Sequence, residues 1–288
     1  MSHDLPHSRF VVIHEDDLGM SHGANQAFVE LAEARIATSG SVMVPCPWFP
    51  ELAQLARERP QLDIGVHLTL NSDARPYRWR PLTGVRDNGL TDPDGYFWTD
   101  VPNVRRHAQP DAVETELRLQ IETALAAGIG VTHLDCHMGT AMMPEFVAIY
   151  ERLGADYRLP LLLMDDYRTF SVMDYVGPVT TAEYNAARDR AAARGNPVVA
   201  LQLETAWDWP DGIETAYRNL FARVPPGVSW LALHFTAPGD VELFDTEAVI
   251  RTGEYAFFRD GRAKALMDEF GLVPIGLKDW QARLLATE

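Results

Sequence analysis

The chain has 288 residues, a formal net charge of −16 and 47% hydrophobic residues. That composition is ordinary for a globular protein and excludes collagen, coiled coil and disorder. The negative charge argues against a nucleic-acid partner, because phosphate binding needs a basic patch. No apolar run reaches the ~20 residues of a membrane span. Only Cys46 and Cys136 are present; they cannot staple a chain of this length and read as reduced thiols. The start, MSHDLPHSRF, has no basic region followed by an apolar stretch, so the expectation is a cytoplasmic protein.

Short runs rich in Val, Ile and Leu alternate with helical patterns. Arg9 to His14 reads as a buried strand and Gly23 to Arg35 as a helix with Ala27, Phe28 and Leu31 on its apolar face. Strands over Ser39–Val44 and Asp63–Leu70 bracket a helix over Phe49–Arg59. The rhythm breaks from Asn71 to Pro110. This stretch is rich in Pro, Gly, Asp and Arg, lacks a sustained period, and carries Tyr77, Trp79, Tyr96, Phe97 and Trp98. A long loop of this kind is functional or poorly ordered, and its aromatics favour a folded insertion.

From Asp111 the alternation resumes. The spacing of Val113, Leu117, Ile121 and Leu125 predicts a helix over Asp111–Ala127, ended by Gly128. Strands then fall at Val131–Asp135, Pro160–Met164, Val198–Leu203, Ser229–Phe235 and Leu272–Ile275. Helices fall at Pro144–Leu153, Ala182–Ala193, Gly212–Arg223, Glu254–Phe270 and Leu277–Leu285. Seven or eight successive βα units predict a parallel sheet with helices outside. The expected fold is α/β: one (β/α)-barrel domain over residues 1–288, complete or distorted to seven strands, with a loop-rich insertion at about 71–110. An open doubly wound sheet is the alternative, although no GxGxxG follows the first strand.

In such folds the site lies at the C-terminal strand ends. There the sequence places Glu15-Asp16-Asp17, Gly65-Val66-His67, Asp135-Cys136-His137 and His234. Singly, each has a plain structural reading: Asp16 or Asp17 as a helix cap, His67 as a packed strand histidine. His133 reads as buried structure, and His14 and His22 as structural or surface residues. Together they assemble differently. Three successive carboxylates repel one another, and a cation relieves that cost. One Asp and two His make a three-ligand site with an open position, suited to Zn, Mn, Co, Ni or Fe rather than Ca. The other carboxylate of the Asp16/Asp17 pair would be a base, and His234, from the far side, would protonate a leaving group.

The ordered blocks Glu15-Asp16-Asp17-Leu18-Gly19, Ser21-His22-Gly23-Ala24-Asn25, Gly65-Val66-His67-Leu68, Thr132-His133-Leu134-Asp135-Cys136-His137 and Tyr157-Arg158-Leu159-Pro160, with the late His234, resemble the YdjC/ChbG carbohydrate deacetylases. The resemblance runs from about Phe10 to Trp280. It implies a (β/α)-barrel hydrolase that removes acetyl groups from N-acetylated sugars with one divalent metal ion, Zn or Mg first and Mn, Co or Ni admissible. Carried over by position, Asp17, His67 and His137 would hold the metal. Asp16 would be the general base, His234 the general acid, and Arg158 a residue of the substrate cleft. Four departures mark a divergent member. Glu15 replaces a small residue, and Cys136 replaces Ser. Met138-Gly139-Thr140 stands where the family often has a further His. Phe235-Thr236-Ala237-Pro238-Gly239 follows His234 in place of Pro-Gly.

Tyr77, Trp79, Tyr96, Trp98, Trp207 and Trp209 fall in loops or loop edges and are further candidates for stacking on sugar rings, Trp79 and Trp98 first; the alternative is that they pack the loop. The expected partner is a small carbohydrate, with no nucleic acid and no membrane, and a homodimer is left open. Rival readings are another metal-dependent hydrolase, an Fe(II) oxygenase with the same ligand set, and a non-catalytic sugar-binding protein.

Overall fold

The computed structural model describes residues 8–170 and 173–286. Seven parallel strands form its centre: β1 (Arg9–Leu18), β2 (Ser39–Val42), β3 (Ile64–Leu68), β4 (Val131–Cys136), β5 (Leu201–Glu204), β6 (Gly227–Leu233) and β7 (Leu272–Pro274). Their lateral order is β4-β3-β2-β1-β6-β5, with β7 joined to β1. One edge of β1 is shared between two strands: Arg9 to Val11 pair with β7, and His14 to Leu18 pair with β2. Around the sheet run α1 (His22–Glu33), α2 (Phe49–Glu58), α3 (Val101–His107), α4 (Pro110–Ala126), α5 (Val147–Tyr157), α6 (Met173–Val176), α7 (Ala182–Ala193), α8 (Ile213–Ala222), α9 (Ala248–Arg259), α10 (Arg262–Glu269) and α11 (Lys278–Ala286). No helix among the described residues is long and apolar enough to cross a membrane.

Two expected elements differ. Pro160–Met164 is not a regular strand. It makes single parallel bridges, Leu161 to Leu134 of β4 and Met164 to Val199 beside β5. Regular pairing is therefore interrupted between β4 and β5, and the barrel is distorted rather than complete. Main-chain bonds to Leu134 and Val199 keep the segment in the strand position, and side chains take the groups left over. Asn196 accepts from the Leu161 N–H at 2.7 Å and donates to its carbonyl at 3.1 Å, and the Tyr184 hydroxyl does the same for Met164 at 2.7 and 3.1 Å. The helix expected over Glu254–Phe270 is two helices, broken at Gly261, whose φ of 87° lies in the left-handed region that ends helices at little cost only for glycine.

One apolar cluster runs from Val11 to Leu277 and takes in Trp79, Leu90 and Phe97 of the insertion. Between the strands this core turns polar: His14, Ser39, Ser41, His67, His133 and Asp135 are all buried. Gly65 makes room for them, since a Cβ there would lie 2.5 Å from His133 Nε2. Buried polar groups must be hydrogen-bonded or matched by a ligand, and this polar layer leads to the strand ends.

Candidate metal and catalytic site

β1 delivers two adjacent carboxylates to one place. Regular alternation would send Asp16 and Asp17 to opposite faces. The pairing of β1 with β2 shifts register between Glu15 and Leu18, and Asp17 sits at φ 62°, a strained conformation for a non-glycine residue. The resulting kink turns Asp17 toward the same cleft as Asp16. Neither caps α1; Ser21 does, accepting from the Ala24 N–H at 3.0 Å.

His67 ends β3 and His137 follows β4, where Met138 and Gly139 turn the chain with φ of 51° and 67°. Donor atoms of Asp17, His67 and His137 lie within 4.8 Å of one another. Asp17 Oδ1 is 3.6 Å from His67 Nε2 and 3.1 Å from His137 Nδ1. It is nonetheless buried without a hydrogen bond. The far side of each ring explains why. His67 Nδ1 meets Asp135 Oδ1 at 3.0 Å, and His137 Nε2 meets Asp73 Oδ1 at 3.0 Å. With ring protons on those outer nitrogens, both inner nitrogens turn lone pairs toward a carboxylate oxygen. Only a cation reconciles that arrangement: a metal ion, or a proton. Without metal the proton serves. Burial opposes charge on His137, but Asp73 and Asp17 push it up to about 10. Burial likewise opposes charge on Asp17, but His137, Arg251 and His234 hold it well below the usual carboxylate range. The donor set thus fits a divalent ion, which would displace that proton.

Asp135 organises the interior side. Besides His67 it meets His14 Nε2 at 3.0 Å and accepts from the Ser41 hydroxyl at 2.9 Å. His14, read as structural or surface, is fully buried and reaches Ser39 Oγ at 2.7 Å. Burial pushes His14 and His133 down. His14, His133 and Asp135 form a second group close enough to hold a metal, but none of them lines the cleft. His22 is half-exposed and paired with Glu51 at 2.7 Å.

The cleft, of about 670 Å³, is lined by Asp16, Asp17, His67, His137, His234 and Trp207; His234 does not come from the far side as expected, since it follows β6, the strand paired with β1. Asp16 Oδ2 is 4.0 Å from His67 Nε2. Burial, then Asp135, Asp17 and Glu204, push the Asp16 carboxyl well above its usual range. His234 Nε2 is 3.8 Å from Asp17 Oδ2, and its ring lies 4.8 Å from that of Trp207. Burial, then Arg251, push His234 down to about 3. Arg251, from α9, holds Asp17 Oδ2 at 3.0 Å and Asp245 at 2.7 Å. Cys136 also lines the cleft, but burial and Asp135 push its thiol far up, so it is an inert neighbour.

The remaining candidates lie elsewhere. Arg158 is at the C-terminal end of α5, in the left-handed conformation, and lines a separate cavity with Gly154, Leu161 and Asn196. A helix following a strand runs back toward the strand starts, so its C-terminus ends on the wrong rim for the cleft. Trp79 is 2% exposed and donates its indole N–H to the Asn71 carbonyl at 2.9 Å. Trp98 donates to Gly89 at 2.8 Å and stacks on His107 at 4.5 Å. Neither Trp lines the cleft; the packing alternative describes both. Glu15 faces away from the cleft, accepting from the Phe235 N–H at 2.8 Å, and burial with Glu254 pushes it well up. It does not tune the base by sharing its space.

Of the six aromatic candidates, Trp207 lines the cleft; sequence reading missed Asp73, Arg251 and Glu254. Asp73 stands at the start of the insertion and supplies the partner that His137 lacks in the Met138-Gly139-Thr140 run. Arg251 and Glu254 sit on a helix whose apolar spacing gave no hint that its polar residues turn inward.

Comparison with known proteins bears on the family and the fold. The family profile described as YdjC-like protein matches residues 10–269. A carbohydrate deacetylase of Thermus thermophilus is 37% identical over 231 residues, covering 80% of this chain and 78% of that protein. One of Brevibacillus brevis is 30% identical over 175 residues, covering 61% and 67% respectively. A solved structure from Enterococcus faecalis V583, described as a proposed cellobiose-phosphate cleavage protein, shares the fold with a TM-score of 0.76 at 21% identity, over 94% of this chain and 98% of that one. The chain belongs to the YdjC family.

Proposed function

We propose that this protein is a divalent-metal-dependent carbohydrate deacetylase, which hydrolyses the amide of an N-acetylated sugar to acetate and a free amine. The observation that carries the reading is the convergence of His67 Nε2 and His137 Nδ1 on the unbonded Asp17 Oδ1, at 3.6 and 3.1 Å, in the floor of the cleft. Asp17, His67 and His137 would hold the ion, Zn or Mg first, with Mn, Co or Ni admissible. That ion would supply polarisation of the acetyl carbonyl, acidification of water and the positive charge that lets Asp16 act as an ionised base.

The chain's own residues divide the proton traffic. Asp16, beside the ligands and open to the cleft, takes a proton from the attacking water, whose oxygen ends in acetate. His234, at the end of the neighbouring strand β6, delivers a proton through Nε2 to the amide nitrogen, which leaves as a neutral amine. Because burial holds the resting ring neutral, Nε2 takes up that proton from water in the open cleft before the nitrogen leaves, and Asp16 releases to solvent the one it took. Arg251 fixes the second oxygen of Asp17, leaving the first free for the ion. Asp135 and Asp73 orient the two imidazoles, as carboxylate partners of metal-ligating histidines do. Trp207 gives the wall an aromatic face beside His234.

The test is acetate release from N-acetylated mono- and oligosaccharides. Chelated protein would be compared with protein restored with Zn, Mn, Co, Ni or Mg, and His67→Ala would be the control. Metal-dependent release that His67→Ala abolishes is the expected result. Stoichiometric metal binding without release from any sugar would overturn the substrate class, and full release by chelated protein would overturn the metal.

A further inference from the structure

The buried polar layer behind the cleft holds two more atoms that the fold leaves unmatched. Asp16 Oδ1 and His133 Nε2 are both buried without a hydrogen bond. The other nitrogen of His133 is engaged, Nδ1 lying 2.8 Å from Thr132 Oγ1. Asp16 Oδ1 lies 3.4 Å from His14 Nε2, and Asp135 Oδ2 lies 3.0 Å from the same nitrogen. Donor atoms of His14, His133 and Asp135 are within 4.8 Å of one another, and Asp16 has one within that distance of Asp135. The reaction above uses Asp135 only through Oδ1, which faces His67. It has no task for His14 or His133.

The remaining groups of the layer are paired. His14 Nδ1 meets Ser39 Oγ at 2.7 Å. Ser41 donates to Asp135 Oδ2 at 2.9 Å and meets His14 Nε2 at 3.0 Å. A cation supplies what the two unmatched atoms lack. Tetrahedral ligands about 2.0–2.1 Å from zinc stand roughly 3.4 Å apart, close to the spacing already present around His14 Nε2. Two imidazoles and two carboxylate oxygens are a donor set for zinc rather than for magnesium or calcium. To ligate through Nε2, His14 moves its one ring proton to Nδ1. Ser39 then accepts where it had donated, as a hydroxyl can do either.

We propose that His14 Nε2, His133 Nε2, Asp135 Oδ2 and Asp16 Oδ1 form a second, interior metal site that takes a zinc ion, separate from the site of Asp17, His67 and His137. Four protein ligands close its shell, and a closed shell marks a structural ion rather than one that binds substrate. Two carboxylates then link the sites. Asp135 divides its oxygens between His67 and the interior ion. Asp16 gives Oδ1 to that ion and keeps Oδ2, 4.0 Å from His67 Nε2, for the cleft. Asp16 is also the member of the set that lines the cleft, so the ion enters past it. The proposal does not need the deacetylase reading, because it concerns ions held rather than substrate turned over. A layer that is only packed would hold no ion.

The experiment counts zinc. Full-length protein is stripped with chelator, exposed to Zn²⁺ alone, desalted and assayed for metal by mass spectrometry. Wild type is compared with His137→Ala, His133→Phe and the double variant. The expected result is two ions per chain in wild type, one in each single variant and none in the double variant. Zinc should raise the Tm of His137→Ala and leave that of the double variant unchanged, since only a folded state with a site is stabilised by its ligand. A zinc-loaded wild-type crystal should show an anomalous peak between His14 Nε2 and His133 Nε2, which decides the matter if a variant fails to fold. Wild type holding a single ion that His137→Ala loses would overturn the interior site. So would two ions in His133→Phe, or no peak beside His14. A single wild-type ion that His133→Phe loses and His137→Ala keeps would uphold the interior site and remove the metal from the cleft.

Discussion

In the 71–110 insertion, Trp79 and Trp98 give their indole protons to main-chain carbonyls, and Asp92 accepts from Arg78 at 2.7 Å. At the end of β1, Glu15, Asp16 and Asp17 each keep one buried oxygen without a hydrogen bond. Both regions are rich in aromatic, acidic and basic side chains, and both looked functional in sequence. In the insertion most of those groups are consumed by the fold, Arg78 Nε and Thr83 Oγ1 being unpaired exceptions. At the strand ends the fold buries charge and stops short of matching it. An unmatched buried polar atom costs ~1–3 kcal/mol, more if charged. Asp16 and Asp17 line the cleft, where a ligand would repay that cost, so pairing, more than residue type, separates a packed loop from a site.

The comparison can be broken at either end. The largest effect is expected from Asp16→Asn, which removes the proposed base and keeps the shape. Turnover should fall about 10²–10⁴-fold while calorimetry shows metal still bound; full activity would remove Asp16 from the mechanism. Trp79→Ala should destabilise by about 3–5 kcal/mol, as deletion of a buried indole does. Denaturant melts would register that loss while KM for sugar stays put. A raised KM at unchanged stability would return Trp79 to substrate binding, the behaviour expected instead of Trp207→Ala. Asp135→Asn acts on the site from behind, through His67. Metal affinity should weaken about 10–100-fold, read by competition with a chromophoric chelator.

The smallest effect concerns pH. Burial opposes charge on Asp92, but Arg78 and the Tyr96 N–H outweigh it and lower its pKa. Its folded value lies below its unfolded one, so the stability it lends is present above the unfolded value, about 3.9. That stability drains as pH falls through the folded value. Protection factors against hydrogen exchange in the insertion, which divide out the intrinsic slowing in acid, should therefore fall below about pH 4. Asp92→Asn should abolish that acid-specific fall, and an unchanged fall in the variant would assign it to another group.

How much could be read without coordinates varied by kind of residue. Strands with continuous apolar runs and helices with a 3.6-residue stripe were legible because burial repeats along them. The meeting of Asp17, His67 and His137 in one cleft was legible because each stands at a strand end, and parallel topology sends all strand ends to one rim. Arg158 was misread because its motif fixes only a place in the chain. The direction of α5 fixes the rim, and it carries Arg158 away from the cleft. Pro160–Met164 was misread because its ladder is completed by Tyr184 and Asn196, from distant parts of the chain.

The sequence by itself determined the alternating α/β order, the carboxylates and imidazoles at the strand ends, and the family. These are local patterns, repeated or placed by chain direction. The tertiary structure alone decided which nitrogen of each ring faces Asp17, that Asp16 and Asp17 share a cleft through a left-handed kink, and that Asp135, Asp73 and Arg251 meet His67, His137 and Asp17. The physical reason is that proton positions and pairing depend on side chains separated by tens to hundreds of residues, whose meeting no local period records.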